Sequence, residues 1–153
     1  MRIAFVLVIM ISMTCGLPCA GAAPQDSHGS DNAQLTIDQM LSIAEKQHEI
    51  ASLLIKEGQY DSVLPEMQVI LDLNLHGEYE ELVAKSAGFI AYRLAEKGQY
   101  EISHELLDET ISRMQLSANA ASLLKIKAYV YKSEGRLADA IETLEQAVDI
   151  ERR

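Results

Sequence analysis

The chain has 153 residues, 48% of them apolar and 24% charged, with no tryptophan; that is one domain of ordinary globular composition. Its formal net charge of −10 argues against a nucleic-acid binder, which needs a basic surface over phosphates. The same charge disfavours adsorption to anionic lipid.

Residues 1–22 have the order of an export signal: a positive start at Arg2, the uncharged apolar run "IAFVLVIMISM" at 3–13, and the small-x-small "AGA" at 20–22. As helix, the apolar run rises only about 16 Å, against roughly 30 Å of bilayer hydrocarbon. It is therefore too short to span, and cleavage is expected after Ala22. The competing reading is a buried N-terminal helix; the order of charge, apolar run and small residues favours the signal. Cys15 and Cys19, the two cysteines, both fall in this segment. The mature chain is then expected to have no thiol, disulfide or zinc-thiolate site. Neither cysteine follows the Leu and small residues that a bacterial lipoprotein signal uses. Residues 23–35, "APQDSHGSDNAQL", are mostly polar and aperiodic and read as a flexible leader.

Ordered structure is expected from Thr36. Thr36 with Gln39 three residues on forms a capping box, and Met40, Ala44, Ala51 and Ile55 then share a helical face. No segment alternates long enough to be a strand, and Asn-Gly and Asp-Gly hairpin signals are absent. Breaks at Gly58, 74–77, Gly98, 116–119 and Gly135 leave six predicted helices at about 36–57, 61–74, 78–97, 100–115, 118–134 and 137–151. With Asp61 as the N-cap of the second helix, Pro65 is expected to cost one early hydrogen bond.

One turn is written three times. "GQYDSV" (58–63), "GQYEIS" (98–103) and "GRLADA" (135–140) share Gly, a polar residue and a large apolar residue. Ala51, Ala91 and Ala128 stand seven residues upstream; Met67, Leu107 and Leu144 stand nine downstream; Ile70, Thr110 and Ala147 stand twelve downstream. Glycine permits the tight turn, and the small residue before it lets two helices approach closely.

This pattern over residues 44–153 resembles the tetratricopeptide repeat (TPR), a helix–turn–helix unit of about 34 residues. There are departures. The turn glycines are 40 and 37 residues apart; Gln47, Ala87 and Leu124 replace the family's early Trp; its late Pro is absent. The resemblance implies an all-α, right-handed solenoid of three antiparallel helical hairpins, at about 36–75, 78–116 and 118–153. The last helix should be apolar on one face only, with nothing stacked beyond it. Leu137, Ala140, Ile141, Leu144, Ala147 and Val148 do fall within about 120° of arc, opposite Asp139, Glu142, Glu145 and Asp149.

In the family, the first helix of each hairpin lines a concave groove that holds a peptide or partner helix. By position, the resemblance implies groove residues Glu45, His48, Ser52, Ile55 and Lys56; then Lys85, Gly88, Tyr92 and Glu96; then Ser122, Lys125, Tyr129, Lys132 and Ser133. Tyr92 and Tyr129 are equivalent positions, and tyrosine offers apolar area plus a hydroxyl at low entropic cost. Gly88 is expected to leave room beside Tyr92. His48 reads as either a packed histidine or a groove contact. His48, Ser52 and Phe89 stand where the family's carboxylate clamp would be, so that ligand is not implied.

Charge is partitioned as well. The second helices carry twelve acids and the first helices nine, while the first helices hold Lys46, Lys56, Lys85, Arg93, Lys97, Lys125, Lys127 and Lys132. The expectation is an acidic outer side and a near-neutral groove with local lysines, steering an acidic or C-terminal segment inward. His104 and Asp108 lie one turn apart, but no third metal ligand is evident at helical spacing. Phosphate loops, Gly-x-Ser-x-Gly and His-Glu-x-x-His are absent. The sequence thus predicts a non-catalytic protein-interaction module, periplasmic or secreted, without cofactor and without membrane insertion after signal cleavage. The alternative is a structural, self-associating piece of an envelope assembly.

Overall fold

Thr36 sets the start of the first helix. In the computed structural model, which describes residues 35–114 and 116–153, the Thr36 hydroxyl accepts from the Gln39 N–H at 3.3 Å. The Gln39 side-chain oxygen accepts in return from the Thr36 N–H at 2.8 Å. Each satisfies a donor that the first turn leaves open. The expected export signal over 1–22, and the leader up to residue 34, lie outside the described residues.

The described residues are all-helical, with six α-helices and no strand: α1 (Ile37–Glu57), α2 (Val63–Asp72), α3 (Glu80–Glu96), α4 (Tyr100–Arg113), α5 (Ala118–Glu134) and α6 (Leu137–Glu151). Short 3₁₀ turns, Tyr60–Ser62 and Gly77–Tyr79, lead into α2 and α3. The second helix therefore starts later than its sequence predicts. Asp61 lies in the 3₁₀ turn and caps nothing; Ser62 is the N-cap residue, with no side-chain bond. Pro65 becomes the third helical residue, where a backbone N–H has no intrahelical partner in any case. The expected loss of a hydrogen bond does not arise.

The three glycine turns are built alike. Gly58, Gly98 and Gly135 take left-handed backbone at φ 76°, 75° and 89°, conformations that cost a side-chain-bearing residue about 1–2 kcal/mol. The residue after each closes a wide bond back to the helix: Gln59 N–H to Leu54 C=O at 2.9 Å, Gln99 N–H to Leu94 C=O at 2.9 Å, Arg136 N–H to Tyr131 C=O at 2.8 Å. These are Schellman closures, which satisfy carbonyls at the helix end. Gln59, Gln99 and Arg136 share one backbone conformation, with φ near −90° and ψ of 59°, 63° and 69°.

Each turn joins two helices that pack together: α1 on α2, α3 on α4, α5 on α6. Between these pairs, α3 packs on α1 and α5, and α4 packs on α2 and α5. Ala51, Ala91 and Ala128 are buried. At Ala91 the approach is close enough for the buried Ser103 hydroxyl of α4 to donate to the Ala91 carbonyl at 2.8 Å. Farther along, Arg113 of α4 donates to the Leu71 carbonyl at the end of α2, at 2.9 Å. That places a cation at a helix C-terminus, its favoured end.

The main core runs through the first five helices, and α6 attaches through a smaller cluster of Ala121, Leu124 and Ala147. This corrects the expected packing of the last helix. Its buried residues are Ala140, Thr143 and Ala147. Leu137, Ile141, Leu144 and Val148, expected on the packed face, are 60%, 59%, 44% and 38% exposed. Ala121 and Ala128 let α6 sit close to α5, so small residues fill that contact and the large ones point away from it.

Ala91→Leu should lower unfolding stability by about 1–3 kcal/mol, the usual cost of overpacking, and lose the Ser103 bond. Urea denaturation followed by circular dichroism measures it; an unchanged midpoint would show that α3 and α4 are not in tight contact at Ala91.

Candidate functional site

The first helices of the three pairs, α1, α3 and α5, present side chains on a shared face. Between α1 and α3, His48 Nδ1 lies 2.8 Å from the Ser86 hydroxyl, and the His48 ring tilts against Phe89 at 5.6 Å. Between α3 and α5, the Tyr92 and Tyr129 rings stack at 5.0 Å and 30°. Two clefts adjoin this row. One of about 920 Å³ is lined by residues including Leu41, Glu45, His48, Leu82, Lys85 and Phe89. One of about 480 Å³ adds Ser52, Ile55 and Arg93 and shares Glu45, His48 and Phe89. They form one continuous band along α1 and α3.

Leu82, Phe89, Tyr92 and Tyr129 are all exposed here. An isolated exposed apolar residue needs no explanation, whereas neighbouring ones along a cleft mark a contact surface. Leu82 and Ser86 were not among the implied contact residues, and Phe89 was named only as standing at the clamp position. Their signal lies in the steps of four and three along α3, which carry one face from Leu82 through Ser86 and Phe89 to Arg93.

The electrostatics differ from the expected lysine-lined groove. The larger cleft is lined by Asp38, Glu45, Glu78 and Glu81 against Lys85 alone. Lys85 pairs with Glu81 at 2.6 Å, and its ammonium holds the Glu81 carboxyl below the usual carboxylate range. Glu78, in the 3₁₀ turn before α3, and Glu81, in the first turn of α3, lie at the helix end that favours acids. Two lysines are drawn off to later and earlier helices: Lys125 pairs with Glu151 of α6 at 2.6 Å, and Lys127 pairs with Asp108 of α4.

The implied contact residues are therefore only partly brought together. His48, Ser52 and Lys85 line the clefts, and Tyr92 and Tyr129 meet. Ile55 is 2% exposed and belongs to the core, leaving only an edge to the smaller cleft. Lys56 and Lys132 sit exposed in the last turns of α1 and α5 and line neither cleft. Gly88 does not make room for Tyr92. A β-carbon there would lie 2.5 Å from Ile126 Cδ1 and 3.4 Å from Leu123, so the glycine serves the approach of α5 to α3.

His104 and Asp108 do not converge on a metal. His104 Nε2 lies 3.1 Å from Glu134 and its ring packs on Tyr131 at 4.2 Å, while Asp108 takes Lys127. Among the described residues, no group of three or more potential ligands is placed to hold a metal ion. No described helix is long and apolar enough to cross a membrane. No protein-family model matches the chain, and no curated protein matches it.

The Tyr92 phenol is held above its ordinary pKa, first by the Tyr129 hydroxyl and then by the Glu96 carboxylate. Ionising it would place a phenolate beside an existing negative charge, so the neutral form persists to higher pH. In an ultraviolet difference titration, Tyr129→Phe and Glu96→Gln should each move the Tyr92 transition back toward the usual tyrosine value. Gly88→Leu should push α5 from α3 and cost about 1–3 kcal/mol, and Ile126→Ala in the same chain should recover part of it. Thermal melts of the single and double variants check this.

Proposed function

We propose that the chain is a non-catalytic protein-interaction module: a TPR-like, right-handed stack of three antiparallel helical hairpins, carried out of the cytoplasm by its N-terminal segment. The single observation that carries the binding role is the exposed aromatic and apolar row across α1, α3 and α5, from His48 and Phe89 to the Tyr92–Tyr129 stack. Supporting the repeat reading are three glycine turns with one backbone conformation and one closing bond. The order of Arg2, apolar run and small residues supports export.

On this reading, α1, α3 and α5 line the concave side, and a partner's extended segment or helix lies across them. Its apolar side chains meet Leu82, Phe89 and the tyrosines, residues of the kind that anchor interfaces. Its cations meet Asp38, Glu45, Glu78 and Glu81, which gives orientation and on-rate more than affinity. The acidic lining replaces the acidic partner expected from sequence with a basic one.

Cross-linking capture from the native extract, with the full chain as bait, tests the proposal. Tyr92→Ala with Tyr129→Ala should weaken capture of the partner by about tenfold or more, as loss of an aromatic anchor does, without lowering the melting temperature much. A partner retained fully by that double variant and by Phe89→Ala would move the binding site off this face.

A further inference from the structure

We infer that the exposed stripe of α6 is a second docking surface, for a partner's amphipathic helix whose apolar ridge is flanked by lysine or arginine. This rests on the equivalence of the three turns and not on the cleft between α1 and α3.

Counting from the turn glycines, the stripe has counterparts in α2, its leading turn and α4 that are buried or half-buried. Leu144 corresponds to Met67 and Leu107, both fully buried. Val148 corresponds to Leu71 and Ile111, buried and half-buried, and Leu137 to the half-buried Tyr60 and Tyr100. In those helices the cover comes from later helices of the chain: α2 packs on α3 and α4, and α4 packs on α5. Tyr100 shows the link directly, donating its hydroxyl to the Ser133 carbonyl of α5 at 3.2 Å. On α6 the same positions face solvent, with no described helix over them. The spacing of Leu137, Ile141, Leu144 and Val148, in steps of four, three and four, is the seam that two packed helices use.

The polar equivalences state the chemistry of the occupant. Asp72 of α2 receives Arg113 of α4 at 3.1 Å, and Asp108 of α4 receives Lys127 of α5. Fourteen residues after its turn glycine, where α2 has Asp72, α6 has Asp149; ten residues after, where α4 has Asp108, α6 has Glu145. Both lie beside the stripe, and neither has an ion-pair partner among the described residues. Each acid thus occupies the place where the preceding helices take a cation from the element that covers them. A helix laid on α6 in the same manner would bring a lysine or arginine to each.

Two nearer occupants fit less well. Residues 1–34 hold Arg2 as their one lysine or arginine, against Asp26 and Asp31. A second copy laid α6 on α6 would set Glu145 and Asp149 against their own kind, and like charges repel across an interface.

The test uses two synthetic helical peptides with leucines at heptad spacing, one flanked by lysines and its twin by glutamates. Each is titrated into the full chain by fluorescence anisotropy. The lysine peptide should bind about tenfold more tightly than its twin. Ile141→Ser with Leu144→Ser, and separately Glu145→Gln with Asp149→Asn, should each weaken it about tenfold. Circular dichroism of the variants should be unchanged, and Tyr92→Ala with Tyr129→Ala should leave binding of this peptide intact. Equal binding of both peptides, no binding, or indifference to the α6 substitutions overturns the inference. So does a dimer in sedimentation velocity that Ile141→Ser with Leu144→Ser dissolves, because it gives the face to a second copy. Binding that strengthens when residues 1–34 are removed likewise overturns it and gives the face to that segment.

Discussion

Close backbone approach within each helix pair is the constraint on which the structure depends. Two helices can meet at short range only where the contact residue is small, and Ala51, Ala91 and Ala128 meet that need. The left-handed glycines downstream turn the chain at a fixed distance from those alanines. The Ser103 hydroxyl then finds the Ala91 carbonyl because the helices are already close. Larger residues such as Met67, Leu107 and Ile90 fill the space at either side. The spacing of the pairs, and therefore of α1, α3 and α5, follows from this contact. Gly88 adds the equivalent allowance between α3 and α5, where Ile126 takes the place of a side chain.

Electrostatics act on this frame in a secondary but directional way. Two cations bridge helices from a later element to an earlier acid, Arg113 to Asp72 and Lys127 to Asp108, while Lys125 reaches forward to Glu151. Exposed pairs of this kind contribute little each. Their effect is to orient neighbouring helices and to remove lysines from the clefts. What remains along α1 and the start of α3 is acidic. A cleft with apolar walls and one sign of charge raises the local concentration of counter-charged segments.

Much of the architecture was legible in the sequence, because the signals that set it are local. The Thr36–Gln39 box, the glycine turns and the alanines before them are short-range features with one physical meaning each. The equivalence of Tyr92 and Tyr129 followed from equal distances to their turns; that their rings stack came from the structure. What was not legible depended on where long side chains go. Lys125 reads as a cleft residue by position, but its head reaches Glu151 across the pair. Ile55 shares a face with cleft residues yet points under them. Asp61 has the chemistry of a cap, but the chain tightens into a 3₁₀ turn before α2 begins. The apolar arc of α6 was visible; which part of it would meet α5 was not, because the closeness of the contact selects alanine and threonine over leucine.

That contact has a consequence for how the molecule comes apart. The helix α6 packs extensively on α5 alone, with Ala121, Leu124 and Ala147 at the contact, so α6 can lift away without parting another helix pair. On its other side, α5 is fixed to α3 and α4, with Leu123 and Val130 in the main core. Opening of the C-terminal helix would therefore stop at α5, as a local event separate from opening of the rest of the fold. A protease finding the exposed turn at Gly135 would trim the chain there and leave the stacked tyrosines in place. The lifetime of the C-terminal helix is then set by whatever shields it, separately from the lifetime of the fold.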